Sequence, residues 1–314
     1  MTRPFIKAGI FASLVIVLST VGVPSRSLHA KAARGQQAPP VQAGAAPPAA
    51  GQASATSGQP GAPGAAGPGR GRGGFREPDP IDFDDRTGYT EMFDGTTLAG
   101  WDGNPDVWKV ADGAIVGQRP IPPDGAPTPG FRQTFLVWQG GEPGDFELKL
   151  EIKLEGEGAD SGIQYRSYIA PMNPGRAGAP PPDPREAKWN VAGLQFDFNF
   201  ADTYPGQVAE GGGRGIIAFR GQVVHTEEGK NPRIVAMLGD RQELGGYFKT
   251  ADWNQVDLIA HGDTMIQMIN GHVMSILIDD DSTKARAKGI IGLQCAGPAG
   301  SKISFRNLRI RMIS

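Results

Sequence analysis

Gly193-Leu194-Gln195-Phe196-Asp197-Phe198-Asn199-Phe200 divides cleanly under the two-residue period of a β-strand. Leu194, Phe196, Phe198 and Phe200 fall on one side and predict a core-facing surface. Gln195, Asp197 and Asn199 fall on the other, so two amides and a carboxylate point the same way. Ser161-Gly162-Ile163-Gln164-Tyr165-Arg166-Ser167 repeats the pattern, with Ile163 and Tyr165 on one face and Gln164 and Arg166 on the other. Two strands that each turn large amides and a charge to one side suit a polar ligand covered in hydroxyls.

The same alternation recurs outward from these runs. Phe146, Leu148, Leu150, Ile152 and Leu154 interleave with Glu147, Lys149, Glu151 and Lys153, the pattern of a half-buried strand. Residues 107–110 and 114–116 flank Asp112-Gly113, a strong hairpin signal. Residues 216–219 and 223–226 read as a hairpin around Arg220-Gly221, and 253–261, 265–269 and 273–278 as a meander. Tight turns at Gly262-Asp263 and Asn270-Gly271 join that meander, and 290–294 and 303–311 close the chain. A short helix is expected within 242–249, and the Pro-rich run 171–184 cannot be a strand. Short strands with turn residues between them predict an all-β, two-sheet antiparallel sandwich.

The first third of the chain is different. Arg3 and Lys7, the apolar run 10–23 and the small residues Ala30-Lys31-Ala32 predict an export signal over residues 1–32. The apolar run is shorter than the ~20 residues of a membrane span, so no stable membrane insertion is expected after cleavage. Export would place the protein in the periplasm or outside the cell. Residues 33–84 are expected to be a disordered linker, because the Ala, Gly, Pro, Gln and Ser that dominate residues 33–74 bury too little apolar surface to offset chain entropy. The folded domain is expected over 85–314. A formal net charge of -2 over 314 residues gives no electrostatic reason to expect a nucleic-acid partner. The single cysteine, Cys295, excludes an intramolecular disulfide and reads as a small core residue beside Ile291 and Leu293.

Several ordered motifs resemble one family. They are Phe93-Asp94-Gly95, Gly100-Trp101, the 161–167 run, Gly213-Arg214-Gly215, Asp252-Trp253-Asn254, Ile269-Asn270-Gly271 and Phe305-Arg306-Asn307-Leu308-Arg309. Together they are similar to the DUF1080 family, named for 3-keto-disaccharide hydrolase, over about residues 89–311. The resemblance implies a concanavalin A-like jelly roll, exported by bacteria and acting on oxidised sugars. One departure stands out: similar proteins often carry a histidine shortly after the Leu-Gln of the last-but-one strand. Here the run is Leu293-Gln294-Cys295-Ala296-Gly297-Pro298.

A carbonyl at C3 of a sugar acidifies the hydrogen on C2, which opens an elimination route to glycoside cleavage. That route needs a base, a cradle for the enolate oxygen and a proton donor for the leaving oxygen. Asp197 or Glu210 is the expected base, with the other as acid or ligand-holder, and Arg166 and Arg214 are expected at the enolate oxygen. The same two acids would also serve the ordinary two-carboxyl route. Gln164, Gln195 and Gln294 are expected to hold sugar hydroxyls, and Trp189 to stack on the ring. Each has a plainer reading: Asp197 paired with Arg166 across strands for roughly 0.2–1 kcal/mol, a Glu210–Arg214 loop ion pair, and Trp189 as a core plug. No sequence motif demands a cofactor, and a divalent cation held from separate strands is compatible with the chain. The rival functions are a non-catalytic carbohydrate-binding module and a tethered interaction protein of the cell envelope.

Overall fold

The computed structural model describes residues 77–121, 123, 132–172, 184–201 and 203–313. The expected export signal, most of the linker and most of the Pro-rich run lie outside these residues. In chain order the strands are β1 (Thr90–Glu91), β2 (Trp101–Gly103), β3 (Trp108–Ala111), β4 (Ala114–Gln118), β5 (Arg132–Trp138) and β6 (Phe146–Glu155). There follow β7 (Asp160–Ile169), β8 (Val191–Asn199), β9 (Val208–Gly211), β10 (Gly215–Ala218), β11 (Gln222–Glu227) and β12 (Arg233–Met237). The chain closes with β13 (Asn254–His261), β14 (Thr264–Ile269), β15 (His272–Asp280), β16 (Ile290–Gly297) and β17 (Lys302–Met312).

They form two sheets. One runs β12-β11-β15-β14-β13-β6-β17-β4-β3, with β1 on β17; the other runs β10-β9-β8-β7-β16-β5-β2. All neighbours are antiparallel except β11 and β15, which run parallel. The expected sandwich is therefore present, built on the alternation described above. Phe196, Phe198, Ile163, Tyr165 and Leu293 from the seven-stranded sheet share one core with Leu148, Leu150, Ile152, Val256 and Phe305 from the other. Phe196 and Phe198 stack at 4.6 Å between ring centroids. Cys295 is a buried core residue, and burial pushes its thiol up to about 12. Asp112-Gly113 and Asn270-Gly271 turn with positive φ at both residues, as two-residue hairpin loops require.

Three local expectations are corrected. β10 and β11 are no hairpin: β10 pairs with β9 and β11 with β12 and β15, in different sheets. The crossing at Arg220-Gly221 is fixed by Arg220, whose guanidinium donates to the carbonyls of Pro205 and Arg241. The helix begins one residue earlier and ends four residues sooner, α1 (Arg241–Gly245), and Asp240 caps its start by accepting from the amides of Gln242 and Glu243. The outer side of β6 is not fully wet. Glu147 and Lys149 are buried, Lys149 lies 5.3 Å from the Tyr89 ring, and the neighbouring Arg309 lies 4.7 Å from Phe83.

The stacked pair between the sheets gives a test of the packing. Phe196→Ala should lower unfolding free energy by about 3–5 kcal/mol, read from urea denaturation, because the cavity cannot collapse between two sheets.

Candidate functional site

Strand register assembles the site. Gln195 of β8 lies opposite Gln164 of β7, and Asp197 opposite Gly162. Gln164 in turn lies opposite Gly292 of β16, and Gln294 of β16 opposite Phe135 of β5. Residues opposite one another share a face, so Gln164, Gln195, Asp197 and Gln294 all stand on the side of the seven-stranded sheet turned away from the core. The amide of Gln195 lies flat over Gly162, where a Cβ would meet the Gln195 Nε2 at 2.2 Å. Only glycine leaves room for that overlap.

The amides form a continuous ladder. Gln294 Nε2 donates to Gln133 Oε1 at 2.8 Å, and Gln195 Nε2 to Gln294 Oε1 at 3.1 Å. Gln164 Nε2 donates to Gln195 Oε1, and Gln195 Nε2 also donates to Asp197 Oδ1. Gln207, on the strand side of the following loop, donates from Nε2 to Asp197 Oδ2 at 3.0 Å. Asp197 is 9% exposed. Burial pushes its carboxyl up to about 7, helped by the nearby charge of Asp160 and opposed by the Gln207 and Gln195 hydrogen bonds. Asp160 is itself raised to about 6 by burial, against a hydrogen bond from Tyr204.

Arg166 does not share this face. β7 carries a register shift between Tyr165 and Tyr168, and Arg166 takes φ 45°, in the left-handed region. Its guanidinium donates to the carbonyls of Gly144 (3.1 Å) and Gly262 (2.8 Å) and to Asp145 Oδ1 (2.9 Å). It staples two loops, and the expected pairing with Asp197 is absent among the described contacts.

Glu210 is also turned away. It lies opposite the core-facing Leu194, and its carboxylate receives Arg214 Nε at 2.8 Å. Arg214 reaches on to Asp279 of β15, with Nη1 and Nη2 at 2.7 and 2.8 Å from its two oxygens. Thr226 Oγ1 donates to the same Asp279 at 2.6 Å. These charges tie the two sheets together, so neither Glu210 nor Arg214 joins the amide face.

Trp189 ends a 3-10 turn, Pro184–Trp189. It packs on Phe135, Val137 and Val191, with the Lys188 ammonium 4.3 Å from its ring. Its ring is a plug rather than an open stacking platform. Glu186 anchors the turn by accepting from Asn104 and Thr134, each at 2.5 Å. Beside it runs a groove of about 710 Å³, lined by Asp102, Asn104, Pro105, Arg185, Lys188 and Trp189. Because Phe135 and Val137 lie in register with Gln294 and Gly292, the groove borders one end of the amide face. Among the described residues no group of three or more His, Cys, Asp or Glu side chains could hold a metal ion. No helix among them is long and apolar enough to cross a membrane.

Residues 88–311 match the family model of the 3-keto-alpha-glucoside-1,2-lyase-like domain. The chain belongs to that family. No curated protein matches it. Among solved structures it is similar to one from Parabacteroides distasonis with a provisional glycosyl hydrolase designation. That match has 16% identity and a TM-score of 0.43, covering 73% of this chain and 95% of the other. It is also similar to the carbohydrate-binding module CBM66 from Bacillus subtilis, at 13% identity and a TM-score of 0.41, covering 71% and 99%. A Bacillus subtilis protein with a galectin-like fold matches at 12% identity and a TM-score of 0.42, covering 68% and 90%.

Within this 3-keto-glucoside lyase-like domain, sequence reading passed over Asp160, Tyr204, Gln207 and Gln133. Asp160 was legible: it precedes Gly162 and Gln164 at the same two-residue spacing, and β7 begins there. Tyr204 and Gln207 come from a loop with no periodicity, so only the folded chain brings them in.

The inward charges give a clear test. Arg214→Met should lower stability by about 3–5 kcal/mol in urea denaturation, since it strands Glu210 and Asp279 without a counter-charge. A variant of wild-type stability that lost only turnover would contradict this placement. The outward acid gives another. Its folded pKa lies above the unfolded value, so its contribution to stability is present at low pH and lost as pH rises through about 7. Asp197→Asn should therefore flatten the decline in melting temperature between pH 4 and pH 8.

Proposed function

We propose that the amide face binds a glycoside oxidised at C3 and that Asp197 starts its cleavage by removing the proton from C2. The observation that carries this reading is the Asp197 carboxyl itself. Buried among amides, with Asp160 rather than a Lys or Arg as its charged neighbour among the described residues, it is held at about 7. A base poised there exists in both protonation states at neutral pH and can accept and return a proton.

The chemistry follows from that placement. Asp197 takes the C2 proton, and the electron pair flows toward the C3 oxygen. The enolate collapses to expel the oxygen on C1, leaving a C1–C2 double bond conjugated with the ketone. Water then adds at C1 while Asp197 returns its proton to C2, so the sum is hydrolysis. Gln164, Gln294 and Gln207 each keep an amide hydrogen beyond those used in the ladder. These supply donors for the sugar hydroxyls and the enolate oxygen, the task expected of Arg166 and Arg214. Glu210, expected as the second carboxyl of an ordinary glycosidase pair, is spent inside the sandwich. The family's name, a lyase acting across positions 1 and 2 of a 3-keto-glucoside, supports elimination. The groove beside Trp189 is of a size to take the leaving sugar. Export, as expected from residues 1–32, would let the enzyme meet such sugars outside the cytoplasm.

A carbohydrate-binding module without turnover uses the same face, and the rigid amide ladder favours it equally as a reader of hydroxyls. Incubation with a 3-keto-disaccharide in deuterated water separates the two. The enzyme releases sugar and incorporates deuterium at C2; a binder does neither. Asp197→Asn should reduce both by about 10²–10⁴-fold while the protein stays folded. With an aryl leaving group, kcat/KM should rise with pH through about 7 and then level, as Asp197 loses its proton. Wild-type rates in Asp197→Asn would remove the assignment.

A further inference from the structure

We propose that Asp160 is the acid that protonates the departing C1 oxygen, with Tyr204 holding its carboxyl in place. This rests on the elimination reading of Asp197 and adds the group that reading lacks. Asp160 opens β7 directly opposite Asn199, while Asp197 lies two residues before Asn199 on the same strand. The two acids are thus diagonal neighbours on one face, about 7–8 Å apart in the backbone. That separation lets one carboxyl address C2 and the other the oxygen on C1.

Asp160 is half-buried, and only one of its oxygens is engaged. Tyr204 donates from its hydroxyl to Oδ2, and Oδ1 has no hydrogen bond among the described residues. The loop that carries Tyr204 is itself pinned, because Asn199 Oδ1 accepts from the amides of Thr203 and Tyr204 at 3.1 and 3.2 Å. Asn199 therefore positions Tyr204, and Tyr204 positions Asp160. Among the described residues, Tyr204 and Asp197 are the titratable groups that face Asp160, and no cation among them acts on it. Desolvation raises Asp160 to about 6, so a minority of molecules still carry its proton at neutral pH. The productive state is the one that pairs this protonated form with an ionised Asp197.

The cycle balances. As the C1–O bond breaks, its electron pair goes to the leaving oxygen, which takes the proton from Asp160 Oδ1. Asp197 now carries the proton from C2, and Asp160 is a carboxylate that Tyr204 stabilises. In the second half Asp160 takes a proton from the incoming water as its oxygen bonds to C1. Asp197 gives its proton back to C2, and both acids return to their starting states with water as the sole co-reactant.

The test uses leaving groups that differ in their need for a proton. Nitrophenolate leaves unaided, whereas a sugar alkoxide does not. Asp160→Asn should raise the ratio of nitrophenyl to glucosyl release from 3-keto-glucosides by about 100-fold, the scale of a lost general acid. Tyr204→Phe should move the ratio the same way by a smaller factor. Deuterium exchange at C2 should persist in Asp160→Asn after glucosyl release has fallen. With the glucosyl substrate the wild-type rate should fall on the alkaline side as Asp160 ionises, a limb absent with nitrophenyl. An unchanged ratio in Asp160→Asn, with C2 exchange intact in the wild type, overturns the donor assignment alone. A wild-type protein that neither exchanges C2 nor releases product removes the elimination reading and the donor with it.

Discussion

Gln195 lies over Gly162 because no side chain stands there, and the chemistry of the amide face depends on that overlap. With its amide laid flat across the neighbouring strand, Gln195 bonds Gln164, Gln294 and Asp197 at once. The three strands β16, β7 and β8 are thereby joined by side chains as well as by backbone. Asp197 at the end of that ladder is buried, and desolvation lifts its carboxyl into the neutral range against the hydrogen bonds from Gln207 and Gln195.

Charge is distributed with a matching logic. Arg166 and Arg214 are consumed in contacts that hold loops and sheets together. Placed on the amide face instead, either would pull Asp197 back toward the ordinary carboxylate range. Keeping the guanidinium groups elsewhere preserves a face of amides, two carboxyls and a phenol. In the proposed reading such a face would meet hydroxyls by hydrogen bonding and suit an uncharged sugar better than a phosphorylated or acidic one. The interior ion pairs have their own consequence: Arg214 between Glu210 and Asp279 fixes how β9 and β10 meet β15, through contacts buried from solvent.

Much of this was written in local pattern. The alternation in 193–200 and 161–165 fixed which side chains face the core, and the structure keeps that division for Gln164, Gln195 and Asp197. Hairpin turns at Asp112-Gly113 and Asn270-Gly271 were legible because two consecutive left-handed residues demand those residue types. Cys295 as a core residue followed from its neighbours. The half-buried β6 was legible only in part, since Phe83 and Tyr89 cover a stretch that its own sequence marks as solvated.

The sequence by itself determined the all-β class, the faces of the central strands and the amides that they present. Tertiary structure alone decided where the charges go. A single left-handed residue at Arg166 reverses a side chain that alternation assigns outward. Asp279, 65 residues beyond Arg214, captures it from the other sheet. Alternation is a property of a strand and its pleat, so it can be read from one segment. Ion pairs and desolvation depend on which other segments arrive beside a group. Strand pairing and the loop after β8 bring Asp160, Tyr204 and Gln207 to Asp197, and closing the sandwich brings Asp279 to Arg214.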